Sequence, residues 1–270
     1  MYPFVMIFDR AVSMYTVCAL SGLVFAFLLI LILARVHKTS IEDCLYTLVF
    51  CVMGMGLGAL LLNYITKLPT YIPVIHTLSK STGLQGLIEG VKYFLMDAGF
   101  VFYGGLLGAV VTFFVYTKWM GFDTDKMLIT MLPAIPLFAG FGRIGCFLIG
   151  CCYGKEATGI LEPVGIAFTD SPIAPNGIRL VPVALFEAGF DLVLTILLVT
   201  LSAKKTKGKK LLMLYLALYA VFRFFAEFLR GDLVRGIWFG LSTSQWISIL
   251  ILIVVIASYI SSVRVKKVHI

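Results

Sequence analysis

Seven apolar runs, each long enough to cross a hydrocarbon core of ~30 Å, divide the chain at about residues 14–36, 44–65, 100–120, 128–150, 181–201, 211–230 and 244–263. The pattern predicts an all-α membrane protein of seven transmembrane helices with its termini on opposite sides. The first run is long and has no small-x-small cleavage site beyond it, so it reads as the first span rather than a removable signal peptide.

Two segments between the runs, 66–99 and 151–180, are longer than simple turns. Within 84–95 the apolar residues Leu84, Leu87, Ile88, Val91, Phe94 and Leu95 follow helical spacing, while Gln85, Glu89 and Lys92 face elsewhere. This predicts an outer amphipathic helix lying in the interface. Segment 155–180 is rich in Gly, Pro and Asp, with Ser171-Pro172 and Pro175-Asn176-Gly177 as turn signals. It predicts a small extracytoplasmic cap, irregular or a β-hairpin. No repeat or linker interrupts the chain, so residues 1–270 are expected to form one polytopic membrane domain.

Composition agrees: 60% of residues are hydrophobic and 13% charged, too apolar for a soluble fold of this length. The +8 net charge sits in short loops, not in a patch interleaved with aromatics, so topology accounts for it and no nucleic-acid partner is expected. Arg35, His37 and Lys38, then Lys118 and Lys126, then the lysines of 204–210, then Arg264, Lys266 and Lys267 all fall on one face. The positive-inside rule makes that face cytoplasmic, with the N-terminus outside and the C-terminus inside a plasma membrane.

Charge inside the spans changes the picture most. Arg143 lies within the fourth run, where an isolated arginine costs roughly 2.5–3.5 kcal/mol on insertion scales. The sixth carries Tyr219, Arg223, Glu227 and Arg230 at i, i+4, i+8 and i+11, on one helical face, and the fifth carries Glu187. With ~1.5 Å of rise per residue, Arg143, Glu187 and Arg223 all lie about 10 Å below the outer surface, with Arg230 at the rim. Tyr15 and Tyr103 open the first and third spans at that surface. Three arginines against two carboxylates leave a positive surplus, for which the available anion is a lipid phosphate that arginine grips bidentately.

Plainer readings stand beside these. Arg143–Glu187 and Arg223–Glu227 pairs would hold a bundle without any ligand. Tyr15, Tyr103 and Tyr219 would suit an interfacial aromatic belt. The glycines at 54, 56, 58, 104, 105, 108, 140, 142 and 145 would suit close helix packing. Gly104-Gly105 after Tyr103 equally admits a close approach by substrate. Cys146, Cys151 and Cys152 have no histidine nearby in sequence to complete a zinc site or activate a thiolate, so they are read as small packing residues; no metal and no cofactor is expected.

Together these residues resemble the prolipoprotein diacylglyceryl transferase family of bacterial inner membranes. Gly142-Arg143-Ile144-Gly145, followed by Phe147, Gly150 and Gly154, is similar to the family's glycine-arginine signature. Tyr219, Arg223, Glu227 and Arg230 resemble its tyrosine-to-arginine stripe; Arg179, Pro182 and Glu187 its Arg-x-Pro segment; Gly104-Gly105-Leu106 its Gly-Gly-Leu motif; and Gln245 the glutamine opening its last helix. The sequence departs on the polar side. Tyr103 stands where the family has histidine, Cys146 and Ile149 replace two asparagines, Cys151 replaces a glutamate, and Val181, Ala184 and Phe186 replace His, Gln and Tyr.

The resemblance implies an outward site open to the bilayer with phosphatidylglycerol as donor. A prelipoprotein cysteine thiol attacks the glyceryl carbon and expels glycerol 1-phosphate. It implies Tyr103, Arg143, Glu227 and Arg230 as catalytic residues, with Tyr15, Gly104, Gly105, Gly142, Glu187, Tyr219 and Arg223 binding substrate. The residues leave three readings open: this transferase, a transferase with the same donor and a non-protein acceptor, and a non-catalytic protein that binds anionic lipid.

Overall fold

The computed structural model describes residues 3–8, 10–68, 102–204, 206–231 and 237–268. The amphipathic helix expected at 84–95 lies outside the described residues, as does the side chain of Tyr103. Among the described residues, six helices are long and apolar enough to cross a membrane: Met14–His37, Ile41–Ile65, Thr124–Ile149, Val183–Ala203, Gly208–Leu229 and Thr243–Ser261. The chain is therefore an all-α, multi-pass membrane protein.

The described residues fall into two compact units. The smaller, Ser40–Met127, is a helical hairpin of α2 (Ile41–Thr66) and α3 (Phe102–Trp119). Ser40 caps α2 by accepting from the Asp43 N–H at 3.3 Å. The hairpin closes through glycine: a Cβ on Gly58 or Gly108 would overlap a carbonyl of the facing helix, and one on Gly105 would meet Met55 Cγ at 3.1 Å. Lipid offers no hydrophobic drive between helices, so this backbone contact supplies the attraction. Gly104, predicted as a substrate residue, is one of these packing positions, pressed against Gly58.

The larger unit comprises residues 1–39 and 128–270. A hairpin of β1 (Phe4–Ile7) and β2 (Arg10–Ser13) leads into α1 (Met14–His37), capped by Ser13, whose side chain accepts from the Tyr15 N–H at 3.2 Å. The run expected as one helix at 128–150 is broken into α4 (Thr124–Met131) and α5 (Ala134–Ile149). Pro133 and Pro136 lack the N–H groups that would continue the ladder; the Ile135 N–H instead donates to Leu132 O at 3.1 Å, closing a tighter turn. Then follow α6 (Val183–Ala203), α7 (Gly208–Ala226) and α8 (Thr243–Val268). Helix α1 packs on α5, α5 on α6, α6 on α7 and α7 on α8. Leu132, Leu194, Leu198 and Leu211 form a buried apolar cluster.

Residues 151–180 form a small structured segment, with a 3-10 turn at Gly159–Val164 and a two-residue hairpin of β3 (Ile166–Ala167) with β4 (Arg179–Leu180). Ser171 fixes it to α5 by donating from Oγ to Ile149 O at 2.8 Å. More consequentially, the segment laces helix ends together. The Gly154 N–H donates to Val181 O and the Lys155 N–H to Leu229 O, both at 2.9 Å, and the Gly231 N–H donates to Tyr153 O at 3.1 Å. The end of α5, the start of α6 and the end of α7 thus share one level. Gly154 permits this, since a Cβ there would lie 2.8 Å from both Leu229 O and Val181 Cβ. The start of α1 packs on α5 inward of that level: a Cβ on Gly145 would lie 3.0 Å from Tyr15 Cα.

Candidate active site

Because those ends coincide, residues six or seven positions inward meet at a common depth of about 10 Å. Glu187, on the second turn of α6, is where they meet. Its Oε2 lies 3.1 Å from Arg143 Nη1. Its Oε1 pairs with Arg223 Nη1 and lies 3.7 Å from Arg230 Nη1. Arg223 Nη2 also reaches Glu227 Oε2 at 3.0 Å, one helical turn on, and donates to Ser244 Oγ at 3.4 Å. The two ion pairs anticipated separately from the sequence are one network, joined by the Glu187–Arg223 pair. Charges taken from water cost several kcal/mol each unless paired, and alternation of sign across three helices is what makes this cluster tolerable.

Arg230 reaches the network by a different route from the one its spacing predicts. Helix α7 ends at Ala226, a 3-10 turn spans Glu227–Leu229, and Arg230 is extended at φ −76°, ψ 142°. The cause is the bridge between Arg230 and Gly154, which draws the chain out of the helix. Of the three arginines, Arg230 and Arg223 are buried, with side-chain exposures of 2% and 11%, whereas Arg143 retains 24%. Arg143 is the most accessible cation of the three.

A narrow cleft opens beside the network, lined by Arg143, Glu187, Asp191, Tyr219, Phe222 and Arg223. Its interior has room for about one water. Tyr219 stacks on Tyr215 with ring centroids 5.9 Å apart, and Phe222 stacks flat on Phe190 at 3.9 Å, locking α7 to α6. Tyr15 is exposed at the start of α1 beside Gly145. Gly142, on the turn carrying Arg143, has no atom within 4 Å of where a Cβ would sit, so its face is open. Gly104, Gly105 and the backbone of Tyr103 belong to the smaller unit.

Two features were not singled out from the sequence. Asp191 is buried on the same face as Glu187, one turn along α6, and its Oδ1 has no hydrogen-bond partner among the described residues. Its i, i+4 spacing from Glu187 was the available signal. Ser244 escaped because nothing in its local sequence ties it to Arg223.

The cysteines stand differently from the packing role predicted for them. The Sγ atoms of Cys146, Cys151 and Cys152 all lie within 4.8 Å of one another. Arg143 Nη1 donates to Cys152 Sγ at 3.8 Å. Cys152 has φ +59°, a left-handed backbone that costs a non-glycine residue ~1–2 kcal/mol. Hydrogen bonds from Cys146 and Cys151, with the Arg230 charge, hold the Cys152 thiol below its usual range. Cys151 is drawn down by Cys146, but its hydrogen bond to Cys152 and its burial outweigh this and push it up to about 11.

Comparison with known proteins gives this geometry a context. Residues 3–261 match the family model for prolipoprotein diacylglyceryl transferase. A phosphatidylglycerol–prolipoprotein diacylglyceryl transferase of Finegoldia magna is 30% identical over 264 residues, covering 97% of this chain and 94% of the relative. Proteins of the same name from Clostridium tetani and Clostridium perfringens are 44% and 39% identical over 156 and 155 residues, or 58% and 57% of this chain. Those matches span about three-fifths of these two relatives' own length, 61% and 59%. On the full-length family match and the Finegoldia relative together, the chain belongs to the prolipoprotein diacylglyceryl transferase family.

Proposed function

We propose that the protein is a phosphatidylglycerol-dependent diacylglyceryl transferase that lipidates the lipobox cysteine of prelipoproteins and releases glycerol 1-phosphate. The observation that carries this reading is the Glu187-centred network. Its ion-paired groups are three arginines and two glutamates, one positive charge in excess, and Arg143 is the most exposed of the three arginines.

In this reading Arg143 grips the lipid phosphate and Arg230 reinforces the positive field from behind. Glu187 and Glu227 hold the guanidinium groups in place, with Arg223 between them. The acceptor thiolate attacks the glyceryl carbon bonded to the phosphate oxygen. A C–S bond forms, the C–O bond breaks, and the departing oxygen keeps the electron pair, so glycerol 1-phosphate leaves as an anion that the arginines stabilise as its charge develops. Tyr15, Gly142 and Tyr219 line the donor's approach. For the acceptor, the family resemblance points to Tyr103, Gly104 and Gly105, and a phenol serves as base only if cations lower its pKa from ~10.

The seventh span is α3, and the chain forms one polytopic domain with its N-terminus outside, its C-terminus cytoplasmic and residues 151–180 as the extracytoplasmic cap. The basic loops support that orientation. Purified protein in phosphatidylglycerol vesicles with a lipobox peptide is expected to yield a thioether-lipidated peptide and glycerol 1-phosphate. Release of glycerol phosphate without lipidated peptide would overturn the acceptor assignment in favour of a non-protein acceptor. Neither product, with lipid still retained, would leave a lipid-binding protein.

A further inference from the structure

Three thiols from one short stretch converge beside the arginine network, and the packing role predicted for them explains neither their orientation nor their place. Cys146 is buried in the last turn of α5, while Cys151 and Cys152 follow its C-terminus and are only half-buried. Adjacent residues in an extended chain point to opposite sides. The left-handed backbone at Cys152 cancels that alternation, and both vicinal sulfurs face Cys146 within 4.8 Å. Cys152 Sγ also accepts from Arg143 Nη1, so positive charge stands where thiolates would form.

We propose that Cys146, Cys151 and Cys152 form a three-thiolate site for a zinc ion whose fourth coordination position takes the sulfur of the acceptor thiol. Zinc–sulfur bonds of about 2.3 Å place sulfurs around the ion ~3.8 Å apart, an adjustment from the observed spacing within reach of side-chain rotation. Three protein ligands plus one exchangeable position is the arrangement of catalytic rather than structural zinc. Cys151 and Cys152 are half-buried, which leaves that position accessible from outside. The excess positive charge of the network offsets the negative charge that three thiolates and one divalent ion leave behind.

The balance is simple. Zinc binding releases three thiol protons to solvent. An incoming thiol releases a fourth as its sulfur replaces water on the metal, since a coordinating thiol is deprotonated outright. The metal-bound sulfur then attacks the glyceryl carbon, the C–O bond breaks with its electron pair on the phosphate oxygen, and the neutral thioether leaves the metal. Such a site supplies the nucleophile without a histidine base. The fourth-ligand half of the proposal rests on the transferase reading; the three-thiolate half does not.

The test uses full-length protein in detergent, kept reduced, stripped with chelator and titrated with cobalt(II) as the spectroscopic stand-in for zinc. One cobalt per chain is expected, with sulfur-to-metal charge-transfer absorption that zinc abolishes by displacement. Cys151→Ser and Cys152→Ser, on half-buried positions, should each weaken metal binding by at least the ~10–100-fold that second-shell changes cost. Cys146→Ser serves as a third variant only where its melting temperature matches wild type. Adding a lipobox peptide should alter the cobalt spectrum, and a Cys→Ser peptide should not. Absence of the band, or its persistence in the Cys151→Ser/Cys152→Ser protein, would overturn the site. A band with no peptide response would overturn the fourth-ligand assignment. Lipidated peptide formed by chelated, band-free protein at the undiminished rate would overturn the fourth-ligand assignment and leave the transferase standing. A peptide-responsive band without lipid transfer would overturn the transferase and leave the metal site standing.

Discussion

Glu187 Oε2 and Arg143 Nη1 meet 3.1 Å apart across the interface of two successive helices, and every other charge in the network is arranged around that pair. Arg143 is the most exposed of the three arginines, and Glu187 is almost wholly buried. One partner stays accessible from outside and the other is enclosed by protein.

Glu187→Gln is accordingly expected to damage stability and activity together. It removes the carboxylate shared by three guanidinium groups and leaves their charges facing each other in a buried setting. Breaking a buried pair from one side costs ~3–5 kcal/mol. Thermal unfolding in detergent should show a large loss for Glu187→Gln and a smaller one for Glu227→Gln, which lies at the edge of the network and pairs with Arg223 at 3.0 Å.

Arg143→Lys separates charge from geometry. Lysine keeps the positive charge but presents a point donor in place of the planar fork that fits phosphate bidentately. The variant should fold like wild type and lose about 10–100-fold in transfer, roughly 1.4–2.7 kcal/mol of transition-state stabilisation. Initial rates against the mole fraction of phosphatidylglycerol in mixed vesicles would show the loss.

Gly142 and Gly154 belong to one sequence signature and should respond oppositely. A Cβ at Gly142 meets nothing within 4 Å, so Gly142→Ala should leave the melting temperature unchanged and lower activity only by obstructing substrate. A Cβ at Gly154 would press on Leu229 O and Val181 Cβ at 2.8 Å, at the point that aligns the helix ends. Gly154→Ala should destabilise by ~1–3 kcal/mol, as overpacking does. Melting curves and transfer rates on both variants check the contrast.

Gln245 shares the family signature for a different reason. Its Oε1 accepts from the Ser242 N–H at 2.9 Å while Ser242 Oγ accepts from the Gln245 N–H at 3.3 Å, a reciprocal capping box at the start of α8. Gln245→Ala should cost ~1 kcal/mol of stability, the usual value for a lost cap, with the lipid dependence of activity unchanged.

The spans and the depth of the charged residues were legible because ~20 apolar residues have one use in a membrane and helical rise converts position into depth. Arg143, Glu187 and Arg223 are found together for that reason. What could not be read depends on backbone departures from the helix. Arg230 enters the network from an extended segment, not from the helical face its spacing implies, because Gly154 pairs with it. The helix break at Leu132 follows from two prolines that a hydropathy window averages away. The cysteine cluster depends on one positive φ at Cys152, and no residue-type preference announces that conformation.

The central claim is tested most directly by a single-turnover experiment in vesicles of phosphatidylglycerol labelled in the headgroup glycerol, with a lipobox peptide in excess. The account predicts one labelled glycerol 1-phosphate released for each thioether-linked diacylglyceryl peptide formed, and neither product from Arg143→Ala. Glycerol phosphate appearing without modified peptide, or modified peptide from Arg143→Ala at the wild-type rate, would contradict it.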